Sequence, residues 1–171
     1  MADAAGFHRF EQVSGHIPST DKLYRSSAPY YVDQDSDQRL TDASISFLRS
    51  KSITHVISLN SQADNADIKK KLQDAGIAYT PRPVEDFHAP TREDLRVGAQ
   101  EFRKHRTGTL VWCGYGHGRT GTMINGLQIY AEQDKAQPAR LSHADYEKNH
   151  VEQYHNGKST GQFEVLDQLQ G

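Results

Sequence analysis

The residues best suited to chemistry stand together at Cys113-Gly114-Tyr115-Gly116-His117-Gly118-Arg119-Thr120, and Cys113 is the only cysteine in the chain. A thiolate is a strong nucleophile. An arginine six residues later offers a planar, permanently charged fork that fits two oxygens of a tetrahedral anion. The intervening glycines let successive backbone N–H groups turn to one side, and a helix after the loop would add the positive end of its dipole. Nucleophile, cation and nest around one phosphate imply displacement at phosphorus. Glycine at +3 and +5, arginine at +6 and threonine at +7 from a cysteine coincide by chance on the order of once in 10⁵ at ordinary residue usage. The plainer reading, a buried structural thiol before a glycine turn, leaves that spacing unexplained.

A leaving alkoxide or phenoxide needs a proton, so a carboxylic acid is required on a separate loop. Glu85-Asp86-Phe87-His88-Ala89-Pro90-Thr91 is the natural supplier. It follows a strand-like segment and precedes a helix cap, and Phe87 and Pro90 can hold it over a pocket. Asp86 is the expected donor, with Glu85 as the second choice. The Thr120 hydroxyl is expected to hydrogen-bond the thiolate as it departs. Gly114, Tyr115, Gly116, His117, Gly118 and Arg119 are expected to bind the phosphate. His117 is open to a lining role without chemistry.

The elements that must position these groups are legible in the pattern. Thr41 caps a helix carrying Ala43, Phe47 and Leu48. His55 to Leu59 reads as a short buried strand. Ile68, Leu72 and Ala75 before Gly76 spell a helix with its C-cap. Ile77 to Thr80 is the next strand, broken by Pro81 and Pro83. Thr91 and Asp94 form a capping box for a helix with Leu95, Ala99 and Phe102 inward. The strand Thr109 to Trp112 leads into the loop, and a helix with Met123, Leu127 and Tyr130 leaves it. Ser142 with Asp145 opens a further helix, and Phe163, Leu166 and Leu169 mark the last. The first 35 residues show little periodicity and are expected to be irregular, with 1–20 a loose lead-in.

Strands alternating with helices predict one α/β domain over residues 1–171, with a central, mainly parallel sheet flanked by helices. The phosphate-binding loop then lies between strand and helix at the carboxyl end of a central strand, where ligands bind in such sheets. Apolar residues make up 35% and charged residues 25% of the 171, and mean hydropathy is −0.79. A net charge of −2 gives no reason to expect a nucleic-acid partner. One cysteine rules out an internal disulfide and suits a reducing, cytoplasmic setting, with export as an effector left open. No apolar run is long enough to span a membrane, and the Met-Ala-Asp start carries no basic-then-apolar signal pattern, so a soluble, untargeted protein is expected. A monomer is expected. No metal or cofactor is called for, because Arg119 and the backbone supply the positive charge. The nine histidines are scattered without metal-ligand spacing.

Cys113-x-x-Gly116-x-x-Arg119-Thr120, Asp86-Phe87-His88-Ala89-Pro90-Thr91 and Leu23-Tyr24-Arg25-Ser26 together resemble the dual-specificity branch of the protein tyrosine phosphatase superfamily. The likeness runs from Leu23 to Leu166 in that family's order of elements. It implies a two-step reaction through a phosphocysteine, with Cys113 as nucleophile, Arg119 on the phosphoryl oxygens and Asp86 as acid and then base. Arg25 resembles a family residue and is read as structural. One departure stands out: the family usually places His before the cysteine, and this chain has Trp112, which can donate a hydrogen bond but carries no charge.

Members acting on inositides tend to carry lysines in the loop. This loop has only Arg119 as a fixed cation, which suits a single phosphate on a protein, phosphotyrosine foremost and phosphoserine or phosphothreonine besides. Tyr115 can wall the pocket against a phenol ring. Two other readings stay open: a phosphoinositide or inositol phosphate phosphatase, and a non-catalytic phosphate-binding pseudophosphatase. A dinucleotide fold is disfavoured, because Gly116-x-Gly118-x-x-Gly121 is followed by the polar Glu132–Pro138 segment instead of a strand ending in an acid.

Overall fold

Side chains of the segment Thr109–Trp112 alternate between two apolar surfaces, and the rest of the chain is arranged around that alternation. The computed structural model describes residues 1–171. Its main sheet is built from β1 (Glu11–Val13), β2 (Leu23–Ser26), β3 (His55–Ser58), β4 (Ala78–Pro81) and β5 (Thr109–Trp112). The strand order is β1-β2-β5-β3-β4. β2, β5, β3 and β4 run parallel, and only β1 is antiparallel, against β2. Parallel neighbours need crossovers through helices, here α1 (Asp42–Ser50), α2 (Ala66–Asp74) and α3 (Arg92–Lys104); α4 (Gly118–Gln133) follows the last strand, and α5 (His143–Lys148) and α6 (Gln162–Gln170) complete one layer.

Val111 and Cys113 face the layer of α3, α4 and α6, in a core with Leu95, Phe102, Met123, Leu127 and Phe163. Leu110 and Trp112 face the other side, with Val56, Leu48, Ile68, Leu72 and Phe7. The period of two in a strand therefore decides that the thiol arrives on the side of α4 and the indole on the opposite side. Both faces of the central strands are covered, as a parallel sheet requires.

The helix starts carry their sequence signals. Thr41, Thr91 and Ser142 each accept from the backbone of the residue three positions on, in capping boxes. Within α1 the inward positions are Ser44, Phe47 and Leu48, and Ala43 is exposed. Pro81 does not end its strand but closes it, which is tolerated because β4 is an edge strand. α4 is buried at 13 of its 16 residues; its glycines and threonines are weak helix formers, so it is tertiary burial that holds it.

The first 35 residues differ from the irregular lead-in that their weak periodicity suggests. Phe7 is fully buried, β1 forms the sheet edge and β2 pairs with the central β5. The signal is short because three- and four-residue strands offer too few positions for alternation to register. A two-stranded hairpin, β6 (Tyr154–His155) and β7 (Lys158–Ser159), turns at Asn156 and Gly157, both at positive φ. Asn-Gly is the usual signal for such a turn.

Candidate active site

Each carbonyl of the loop between β5 and α4 is turned outward onto a partner. The Cys113 carbonyl accepts from Asn60 Nδ2 at 3.0 Å and the Gly114 carbonyl from the Ala28 N–H at 2.8 Å. The Tyr115 carbonyl accepts from Arg9 Nε at 2.7 Å, the Gly116 carbonyl from Arg25 Nη2 at 2.9 Å, and the His117 carbonyl from the Gly121 N–H at 2.5 Å. Turning the carbonyls out turns the amides in. The N–H groups of Gly114, Tyr115, His117, Gly118 and Arg119 bond to no acceptor in the protein, while that of Gly116 points at the Cys113 sulfur, 3.3 Å away. Such a run of inward amides at a helix N-terminus is an anion nest. Gly116 is required twice over. Its φ is +102°, and a Cβ there would stand 2.8 Å from the Ser26 carbonyl.

Arg25, read from the sequence as structural, lies beneath this loop. Buried between β2 and α4, it reaches the Gly116 carbonyl and, at 3.3 Å, Asn149 Oδ1. Burial lowers its pKa, with Glu11 and the Cys113 thiolate pulling the other way.

The Arg119 side chain is almost fully enclosed. Asp35, on the turn after β2, grips it with two oxygens at 2.8 and 3.0 Å, and the Val84 carbonyl accepts from it at 2.8 Å. Burial opposes its charge, yet Asp35, Cys113 and Asp86 outweigh burial and raise its pKa. Asp35 shows the converse: burial opposes ionisation, and bonds from Arg119 and Ser61 hold its carboxyl below the usual range. Asp86 stands 3.2 Å from Arg119 Nη2 with its side chain half exposed, so the acid and the arginine share one opening.

The segment carrying Asp86 is braced from the C-terminal layer. Gln162 Nε2 donates to the His88 carbonyl at 3.0 Å while its Oε1 accepts from the Glu152 N–H at 2.9 Å. Phe87, at φ +61°, stacks on His155 of the hairpin with ring centres 3.4 Å apart.

Cys113, Arg119, Asp86, Tyr115, His117 and Gly118 line one cleft of about 370 Å³. Sequence reasoning brings these together and misses the rest of the wall: Tyr31, Glu152 and, behind the arginine, Asp35. Tyr31 meets Tyr115 edge-on at 6.2 Å. The Glu152 carboxyl is raised by burial and by the nearby Asp86, and no lysine lines the cleft. No local pattern marks Asp35 or Glu152, because each reaches the site by a long-range contact. Glu85 lies outside the cleft, near His88 at 4.0 Å.

Two residues beside the loop leave buried polar atoms unpartnered. The buried Thr120 hydroxyl makes no hydrogen bond, to the thiol or to any other group. Trp112 is fully buried on the far side of the sheet, 6.0 Å from Phe7 between ring centres, with its Nε1 unpartnered. It therefore offers the loop nothing in place of a histidine. No group of three or more His, Cys, Asp or Glu is placed to hold a metal ion, and no helix is long and apolar enough to cross a membrane.

Residues 34–133, more than half of the chain, match the family model described as "Polymorphic toxin system, DSP-PTPase phosphatase". No curated protein matches the sequence. Solved structures similar in fold include kinase associated phosphatase, at 15% identity over 86% of this chain and 87% of that one, with a TM-score of 0.64. A mutant form of Tk-PTP is 19% identical over 86% and 89%, with a TM-score of 0.63. PTPMT1 in complex with PI(5)P is 16% identical over 94% of each chain, with a TM-score of 0.60. At these identities the likeness is one of fold.

Proposed function

The chain belongs to the DSP-PTPase phosphatase family of polymorphic toxin systems, and we propose that it hydrolyses phosphate monoesters on proteins, phosphotyrosine foremost and phosphoserine or phosphothreonine besides. The observation that carries this reading is the loop whose carbonyls all turn outward, leaving its amides around Cys113 and Arg119. In the first step the Cys113 thiolate attacks phosphorus in line, a sulfur–phosphorus bond forms, and the bond to the ester oxygen breaks. The loop amides and Arg119 hold the equatorial oxygens as their charge develops. Asp86, protonated, gives its proton to the leaving oxygen.

In the second step Asp86 takes a proton from water, which attacks phosphorus and expels the thiolate. The unpartnered Thr120 hydroxyl is kept for that thiolate. The cleft itself suits one phosphate: its fixed cation is Arg119, and Asp86 and Glu152 would repel a second anion inside it. Tyr31, Phe87 and Tyr115 supply aromatic walls for a phenol ring. The family's description as part of polymorphic toxin systems supports an exported effector as the setting.

The test is hydrolysis of para-nitrophenyl phosphate by the wild type and Cys113→Ser, without metal and with vanadate. Vanadate-sensitive turnover that disappears in the variant is expected. Vanadate binding without turnover would make the protein a phosphate-binding module instead.

A further inference from the structure

On the outer side of the loop, across the ridge formed by Tyr115 and His117, lies a second hollow of about 220 Å³. Its polar lining is two arginines, Arg9 and Arg25, and the imidazoles of His117 and His150, against a single carboxylate, Glu11. Arg9 is held ready. Its Nε donates to the Tyr115 carbonyl, and its guanidinium lies 3.6 Å from the centre of the Tyr115 ring. Its terminal nitrogens make no ion pair. His117 and His150 stack with ring centres 4.1 Å apart and planes within 9°, and their ring nitrogens have no hydrogen-bond partner in the protein. Burial, then His150, Arg25 and Arg9, push the His117 pKa down to about 4. The guanidinium groups of Arg9 and Arg25 thus stand near that ring, and Glu11 is the one carboxylate in the hollow.

The terminal nitrogens of Arg9 and the ring nitrogens of His117 and His150, which converge without an acceptor in the protein, are the chemistry of an acidic ligand. We infer that this hollow is an anion subsite, which receives an acidic group of the same polypeptide that presents its phosphate to Cys113. The inference rests on the protein-phosphatase reading above. The two sides of the ridge then sort charge. Within the cleft Asp86 and Glu152 turn a second anion away, and across His117 the sign reverses. A peptide laid over Tyr115 places its phosphoresidue on one side and a neighbouring phosphoryl or carboxylate side chain on the other.

The experiment compares kcat/KM for three synthetic peptides that share one phosphotyrosine and differ nearby in carrying alanine, glutamate or phosphoserine. It uses wild type, Arg9→Ala, His150→Ala and Glu11→Gln. The quantity read is the ratio of each acidic peptide to the alanine peptide within one protein, which cancels any change in basal activity. The wild-type ratio is expected to be about tenfold, the scale of one charge-assisted contact. It should fall toward unity in Arg9→Ala and His150→Ala and rise in Glu11→Gln, which removes the opposing charge. A gain for phosphoserine alone assigns the hollow to phosphoryl groups, and a gain for both assigns it to anions generally. A wild-type ratio near unity with ready turnover of the alanine peptide overturns the subsite and leaves the phosphatase reading standing. If neither the peptides nor para-nitrophenyl phosphate turn over, both readings fall.

Discussion

Asp35 and Arg119 are 84 positions apart in sequence, yet their carboxylate and guanidinium meet in a two-bond fork at 2.8 and 3.0 Å. The same Asp35 carboxylate accepts from the Ser61 N–H at 3.0 Å, so the fork is anchored to the backbone after β3. An arginine gripped from behind keeps its remaining face in one orientation, and a phosphoryl group then meets a fixed partner. Asp35→Asn should lower kcat/KM about 10- to 100-fold, the equivalent of a charged hydrogen bond of about 1.5–3 kcal/mol. Steady-state kinetics beside a urea midpoint separate this from unfolding. Unchanged kinetics would mean that Arg119 needs no second anchor.

Asp86→Asn removes the proposed acid while keeping its shape. The loss should be about 10²–10⁴-fold on a phosphopeptide, whose leaving group needs the proton. On para-nitrophenyl phosphate, whose leaving group departs readily without one, it should be much smaller. Equal losses on both substrates would assign Asp86 a purely structural part.

Restoring a histidine before the cysteine should not improve this enzyme. Trp112 fills the core behind the sheet with Phe7, so Trp112→His leaves a void and still a polar ring without partners. A cost of about 2–4 kcal/mol is expected, overlapping the lower part of the range for truncating a buried aromatic to alanine. Thermal unfolding followed by circular dichroism checks it. A variant as stable as the wild type and more active would show that the side chain at 112 can reach the loop.

Stability should fall with acid, and His55 is the reason. It is buried between Thr109 and Thr80, bonded to both at 3.0 and 2.7 Å, and burial first, then His105, pushes its pKa down to about 4. The unfolded chain takes the proton near the ordinary value of about 6.5, so the unfolded state binds more protons between those values and stability rises with pH there. The fall from pH 6.5 to 4 amounts to about 3 kcal/mol from this ring alone, and His117 acts in the same direction. Urea midpoints at several pH values measure it. A profile flat across that window would contradict the burial of a neutral imidazole.

What could be read from the sequence was what is written locally. The loop from Cys113 to Thr120 carries its chemistry in consecutive residues, and Thr41, Thr91 and Ser142 announce helices within four positions. Asp86 could be found because its loop sits between a strand and a capping box. Asp35, Glu152 and Tyr31 could not, since each becomes part of the site only when strands distant in sequence pair. Asn156-Gly157 is a local turn signal, and its hairpin places His155 against Phe87. The direction of the Trp112 ring follows from simple alternation along β5, which sends it to the face opposite Cys113.

The sheet order β1-β2-β5-β3-β4 puts the central strand last in sequence among the five. Until β5 is laid down between β2 and β3, Arg25 and Asn60 have no loop to hold, and Asp35 has no arginine. An emerging or partly folded chain therefore displays a thiol and scattered carboxylates without a receptor for phosphate. Non-local parallel pairing of this kind is slow, and a tetrahedral oxyanion that recognises only the finished loop would draw the population toward the native state by mass action. Protection of the chain by phosphate or vanadate during refolding would thus time the insertion of β5 between β2 and β3, the step that creates the receptor.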